Sequence, residues 1–84
     1  MSTSAVEAVP RATSVRCSDT EVIVTLDDGR TLATPLAWFP RLLGATPEQR
    51  ARSRLIGRGE GIRWDDLDED LSVAGLLRGE RARI

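Results

Sequence analysis

Histidine, lysine, tyrosine and asparagine are absent from this 84-residue chain, and cysteine occurs once, as Cys17. Without His, Lys or Tyr several of the usual proton-transfer groups are missing, and nothing in the sequence sets one carboxyl of the 65–70 run apart from another for acid/base work. The serine and threonine hydroxyls have no neighbouring base to activate them. Enzymatic activity is therefore not expected. A lone cysteine excludes an intramolecular disulfide framework, and without histidine no Cys/His metal cluster can form, so a reducing cytoplasm is the expected setting. No apolar run approaches the roughly 18 to 20 residues needed to span a membrane. Residues 1–12 also lack the basic start and long apolar stretch of a secretory signal. Neither secretion nor membrane insertion is expected. Aromatic residues are limited to Trp38, Phe39 and Trp64, which leaves most core volume to Val, Leu and Ile. So short a chain buries only about 60 to 65% of its unfolded surface, so one domain is expected, with support from a homodimer or another partner.

What is present is charge, in nearly equal amounts of each sign. Twelve basic side chains, all arginine, stand against thirteen acidic ones, for a net charge of −1. That balance argues against a basic footprint over the whole surface, and the arginine bias itself reads as GC-rich codon usage more than selection for guanidinium chemistry. Distribution is more informative than the sum. From Arg41 to Arg63 six arginines face only Glu48 and Glu60, whereas Asp65, Asp66, Asp68, Glu69 and Asp70 place five negative charges in six residues. Two readings stay open: the segments neutralise one another at the surface, or the acidic strip meets a basic surface on a partner.

Along the chain, residues 1–12 read as a flexible tail, 13–80 as a single domain and 81–84 as a short C-terminal tail. Val15 and Cys17 alternate with polar neighbours, Asp19-Thr20 signals a turn, and Val22 to Leu26 forms a second strand. Asp27-Asp28-Gly29-Arg30 predicts a hairpin with a two-residue Asp-Gly turn, leading into a third strand over 31–34. Pro35 ends that strand, and a short helical turn closed by Gly44 follows. Thr46-Pro47-Glu48-Gln49 carries a capping-box signature and predicts a helix from Pro47 through Arg54. Leu55-Ile56-Gly57 and Gly61-Ile62-Arg63-Trp64 are short β pieces, making one bulged strand or a hairpin. The segment 65–70 is acidic and helix-neutral. Ser72 caps a last helix that Gly79 stops. The expected class is α+β: a three-stranded antiparallel meander, two short helices, a short β segment and a C-terminal helix.

Three motifs invite chemistry. Asp66, Asp68 and Asp70 have the spacing of a calcium loop's first ligands, but Leu71 stands where its glycine is needed and Leu77 where its bidentate glutamate is needed, so no metal is expected. Gly57, Gly59 and Gly61 resemble a phosphate-cradling string without the lysine or the following helix, and read as turn chemistry. No cofactor is expected. Trp38-Phe39-Pro40-Arg41 supplies core volume, yet adjacent residues at the start of a helical turn rarely both point inward. One aromatic is therefore a candidate interface residue beside Arg41. Trp64 is expected in the core.

The segments Asp28-Gly29-Arg30, residues 35–42, residues 45–50 and residues 67–77 together resemble the bacterial family called Domain of Unknown Function two-four-four-two, in order and spacing over roughly Ser14 to Gly79. The resemblance implies a meander followed by short helices, a cytoplasmic prokaryotic or phage origin, and a role as the antitoxin half of a toxin-antitoxin pair. Some relatives carry an added helix-turn-helix domain, which is not expected within these 84 residues. The leading expectation is a non-enzymatic, protein-binding regulator acting through Trp38, Phe39, Arg41, Asp65, Asp66, Asp68, Glu69 and Asp70. The alternatives are a nucleic-acid-contacting module using Arg50, Arg52, Arg54 and Arg58, and a phage-encoded inhibitor acting through the acidic strip.

Overall fold

The computed structural model describes residues 9–81. Two antiparallel meanders share one core. The first contains β1 (Ala12–Cys17), β2 (Glu21–Leu26) and β3 (Thr31–Pro35), in the order β1-β2-β3. Its inner face alternates as a half-buried sheet must: Val22, Val24 and Leu26 are buried, and Val15 pairs across from Val24 and Cys17 from Val22 on the same side. The sequence-predicted tail ends earlier than Ala12, which is buried within β1, while Arg11 C=O accepts from Asp27 N–H at 2.8 Å. Residues 1–8 and 82–84, the rest of the expected tails, lie outside the described residues.

The turn between β1 and β2 is held by Ser18 Oγ, which accepts from Thr20 N–H and Glu21 N–H at 3.2 and 3.0 Å. The β2–β3 connection differs from the expected two-residue turn. Leu26 N–H donates to Arg30 C=O and Gly29 N–H to Leu26 C=O, so the loop has three residues. Gly29 takes φ +94° while Asp28 keeps negative φ, because the three-residue loop needs the left-handed conformation at one position only.

After β3 the chain makes a 3-10 turn over Leu36–Trp38, then α1 (Pro40–Leu43) and α2 (Pro47–Ala51). The capping box forms as its residues predict: Thr46 Oγ1 accepts from Gln49 N–H at 3.1 Å and Gln49 Oε1 accepts from Thr46 N–H at 2.9 Å. The helix stops at Ala51, short of the expected Arg54. Ser53 and Arg54 instead pair with Trp64 and Arg63, so cross-strand pairing overrides local helix propensity.

The second meander contains β4 (Ser53–Ile56), β5 (Gly61–Trp64) and β6 (Glu69–Ser72), in the order β4-β5-β6. Of the two sequence readings for 55–64, the hairpin is the one formed. Gly57, Arg58 and Gly59 all have positive φ in its connection. Gly59 is required there by contact as well as conformation, since a Cβ at that position would collide with the Ala12 carbonyl oxygen. The acidic segment 65–70 is half 3-10 turn, over Asp65–Leu67, and half strand, with Asp68 in the left-handed conformation between them. Finally α3 (Val73–Leu77) is capped by Ser72, whose Oγ accepts from Gly75 N–H at 2.9 Å.

The core joins Val22, Val24 and Leu26 from the first sheet with Ile62 and Trp64 from the second, roofed by Leu36, Phe39, Leu42, Val73 and Leu76. Trp64 is fully buried, and its indole N–H donates to Arg50 C=O at 3.0 Å, so its one polar atom is satisfied. The expected α+β class and order hold, with the short β segment enlarged to a full second meander. No helix among the described residues is long and apolar enough to cross a membrane.

Candidate functional site

The outer face of the second sheet is a row of charge. Residues alternate across a strand, so burying Ile62 and Trp64 sends Arg63 outward, and the register sets Arg54, Arg63 and Asp70 side by side on β4, β5 and β6. Arg63 is the hub, within 3.2, 2.8 and 3.3 Å of Asp65, Asp68 and Asp70. Asp65 also takes a bidentate pair from Arg54, at 2.7 and 3.1 Å. Arg52 reaches Asp66 at 2.7 Å. The alternating aspartates that resemble a calcium loop thus converge partly on a guanidinium. Hydrogen bonds from Arg54, with help from Arg63, hold the Asp65 carboxyl down at about 2, and Arg63 likewise lowers Asp68.

Of the two sequence readings of charge, this geometry places the acidic and arginine-rich segments together. Three of the four arginines singled out for nucleic acid are engaged within the chain: Arg52 and Arg54 by aspartates, Arg50 by the carbonyls of Leu42 and Leu43 at 3.2 and 3.5 Å. Arg50 therefore closes the C-terminal end of α1, where the partial negative charge of the last carbonyls attracts a cation. Arg58 sits exposed at the tip of the β4–β5 connection.

The Trp38–Arg41 segment divides its residues as their spacing implies. Phe39 is buried in the core. Trp38 is half-buried, with the Arg81 guanidinium 4.3 Å from its ring centroid in a cation–π contact. Arg41 is exposed, and its guanidinium donates to the Asp68 carbonyl. That bond ties α1 to the turn preceding β6. Trp38 and Phe39 thus form no open apolar patch; among the described residues the large apolar side chains left exposed are Val9, Leu43 and Leu55.

Beside this tie lies a groove of about 490 Å³, lined by Phe39, Pro40 and Arg41, by all four residues of β6, and by residues of α3 and the chain after it, including Leu76 and Arg81. Two segments that the sequence marks separately, 38–41 and 65–70, thus meet at one place. Asp65, Asp66 and Asp68 lie outside the groove on the charged face, whereas Glu69 and Asp70 line it. Glu69 is the least hydrated of the acidic group, and burial pushes its carboxyl above the ordinary glutamate range despite the nearby Arg41. Leu71, Ser72, Leu76 and Arg81 were not marked by sequence reasoning. No readable signal marked the first two: Glu69-Asp70-Leu71-Ser72 holds one apolar residue in four, and its strand alternation appears only in which side chains are part-buried.

A second hollow, of about 920 Å³, is lined by Val9, Pro10 and Arg11 with the β2–β3 loop and the start of α3. Among the described residues no cluster of three potential ligands has metal-holding geometry.

No curated protein matches the chain. Among solved structures, it is similar to a protein of unknown function from Rhodospirillum rubrum at 37% identity, with a TM-score of 0.79 over 88% of this chain and 92% of that one. It is also similar to an uncharacterized protein from Chromobacterium violaceum, studied by solution NMR, at 31% identity and a TM-score of 0.72 over 87% of this chain and 69% of that one. The family described as "Protein of unknown function (DUF2442)" matches residues 12–82, and the chain belongs to that family.

Proposed function

We propose that this domain is a non-enzymatic protein-binding regulator that receives its partner in the groove between α1, β6 and α3. The observation that carries the reading is the convergence of Arg41 and Phe39 with Glu69 and Asp70 on one hollow. Such a hollow offers an apolar floor with charge of both signs at its rim, the composition typical of a protein-binding patch. The arginines that a nucleic-acid reading needs are largely spent on aspartates and carbonyls within the chain. The same pairing shields Asp65, Asp66 and Asp68, which weakens the reading of the acidic strip as a decoy for nucleic acid. The specific form we favour is an antitoxin-like inhibitor that masks a small protein in the cytoplasm.

Photo-crosslinking in the native host tests this. A crosslinking amino acid at Arg41 or Ser72 should trap one small protein in stoichiometric yield, and the same amino acid at Thr31, on the first sheet, should not. The trapped protein, purified and remixed, should bind one-to-one and lose about tenfold or more affinity, ~1.4 kcal/mol, with the Arg41→Glu variant. Co-expression should also relieve growth inhibition by that protein. Absence of any groove-specific partner contradicts the proposal.

A further inference from the structure

We infer that the open edge of β6 accepts an extended segment of a partner protein as a fourth strand, with a basic side chain beside Asp70 and an apolar one beside Leu71. The inference rests on the groove being the partner site. Val73 N–H donates to Glu60 C=O at 2.9 Å, which fixes the phase of the β5–β6 ladder. In an antiparallel pair the inward-bonded residues alternate, so Leu71 and Glu69 turn their peptide groups to Ile62 and Trp64, and Asp70 turns both its N–H and C=O away from β5. Ser72 N–H points the same way. Among the described residues nothing bonds to these three groups. The groove meets β6 at this edge, because residues of both strand faces line it.

The other outer strands are less available. β1 and β4 lie against one another; β3 leaves the N–H and C=O of Thr31 and Ala33 open, but Pro35 at its end has no N–H to offer and neither hollow is lined by β3. An unpaired edge is a template for main-chain pairing, with side-chain pockets setting which sequence is accepted.

Charge identifies the occupant. The outer row across the sheet runs Arg54, Arg63, Asp70, and Arg63 is shared among Asp65, Asp68 and Asp70. A strand bonded to Asp70 sets its own side chain next in that row, where a cation pairs with Asp70 and a carboxylate is repelled. A second copy of this chain supplies no cation there, since two β6 edges meeting about a twofold axis place Asp70 opposite either Asp70 or Ser72. On the inner face the neighbouring residue of the added strand lies beside Leu71, near Phe39 and Leu76, which favours an apolar side chain.

The test uses blocked peptides of alternating pattern with Leu followed by Arg at the centre, titrated into the 15N-labelled domain. Matched peptides carry Glu for Arg, or an N-methyl group on the amide that would bond to Asp70 C=O. The Arg peptide should slow exchange of the Asp70 and Ser72 amides and show cross-strand proton contacts to Asp70. The Glu and N-methyl peptides should each bind about tenfold or more weakly, and Asp70→Arg, at an exposed site, should reverse the Arg/Glu preference. Binding of the Arg peptide that ignores N-methylation and leaves both amides unprotected overturns the inference, as does no binding at millimolar concentration. A partner trapped at Arg41 or Ser72 whose complex leaves the Asp70 amide unprotected sinks strand addition while the protein-binding reading stands. No trapped partner at either position sinks both.

Discussion

At the scale of single residues, Arg63 and Trp64 show how one strand serves two environments. Trp64 faces the core and Arg63 the charged row, one residue apart on β5. Replacing Trp64 by Phe removes volume from a fully buried site and strands the Arg50 carbonyl without its donor. The expected cost is about 2 to 4 kcal/mol, read as a lower urea midpoint with unchanged slope. The acidic residues, by contrast, differ in their titration rather than their packing. Carboxyl-detected NMR should find Asp65 titrating at about 2 and Glu69 above the ordinary glutamate range. The signs of their contributions to stability are opposite. Asp65 is depressed in the fold, so its contribution is present above the normal aspartate range and lost as pH falls toward 2. Glu69 is raised, so ionising it as pH climbs through its elevated value removes stability. Equal pKa values for the two would contradict the Arg54–Asp65–Arg63 geometry.

At the scale of elements, local chemistry and tertiary pairing compete, and the boundary between them is visible in particular residues. The meander of β1 to β3, the capping box at Thr46 and the Ser72 cap were legible because turn residues and period-two alternation act locally. The end of α2 was not, because Ser53 and Arg54 suit a helix and are drawn into β4 by Trp64 and Arg63. β6 was hidden for a related reason: only four residues long, it carries Glu69 and Asp70, poor strand formers that are tolerated at an edge. The β4–β5 connection gives the sharpest test of backbone argument. Gly29 and Gly59 share positive φ, but a methyl group at Gly29 meets nothing within 4 Å, whereas at Gly59 it meets the Ala12 backbone. Gly29→Ala is expected to cost about 1 to 2 kcal/mol from conformation alone. Gly59→Ala should cost clearly more, because β1 must also shift. Equal urea midpoints for the two variants would contradict the packing of β1 on that connection. Thr46→Ala should cost about 1 kcal/mol through loss of the cap, measured in the same way.

At the scale of the whole molecule, two small meanders bury their inner faces together, and their outer surfaces are left with different characters. The first sheet presents a mixed surface of Ser14, Arg16, Ile23, Thr25, Thr31 and Ala33 on its outer side, whereas the second presents paired arginine and aspartate. Neither face explains the groove, which arises where α1 is tied by Arg41 to the turn before β6. Sequence reasoning found Trp38–Arg41 and the acidic strip as separate surfaces, because nothing local brings together residues as far apart as Arg41 and Asp68, 27 positions from one another. It also assigned Phe39 to either core or interface, and packing resolves it as core. With that residue buried and Trp38 stacked by Arg81, the segment presents no open aromatic patch on which two copies could meet. Light scattering should return the mass of one chain at micromolar concentration, and a concentration-dependent dimer centred on Trp38 would contradict this placement.

The most direct test of the account is an amide chemical-shift map of the 15N-labelled domain as its purified, host-captured partner is added. The predicted result is perturbation concentrated on residues 39–41, 69–72, 75, 76, 80 and 81, the lining of the groove. Perturbation confined instead to Arg16, Ile23 and Ala33 on the first sheet, or to Arg52, Arg54 and Arg58, would contradict it.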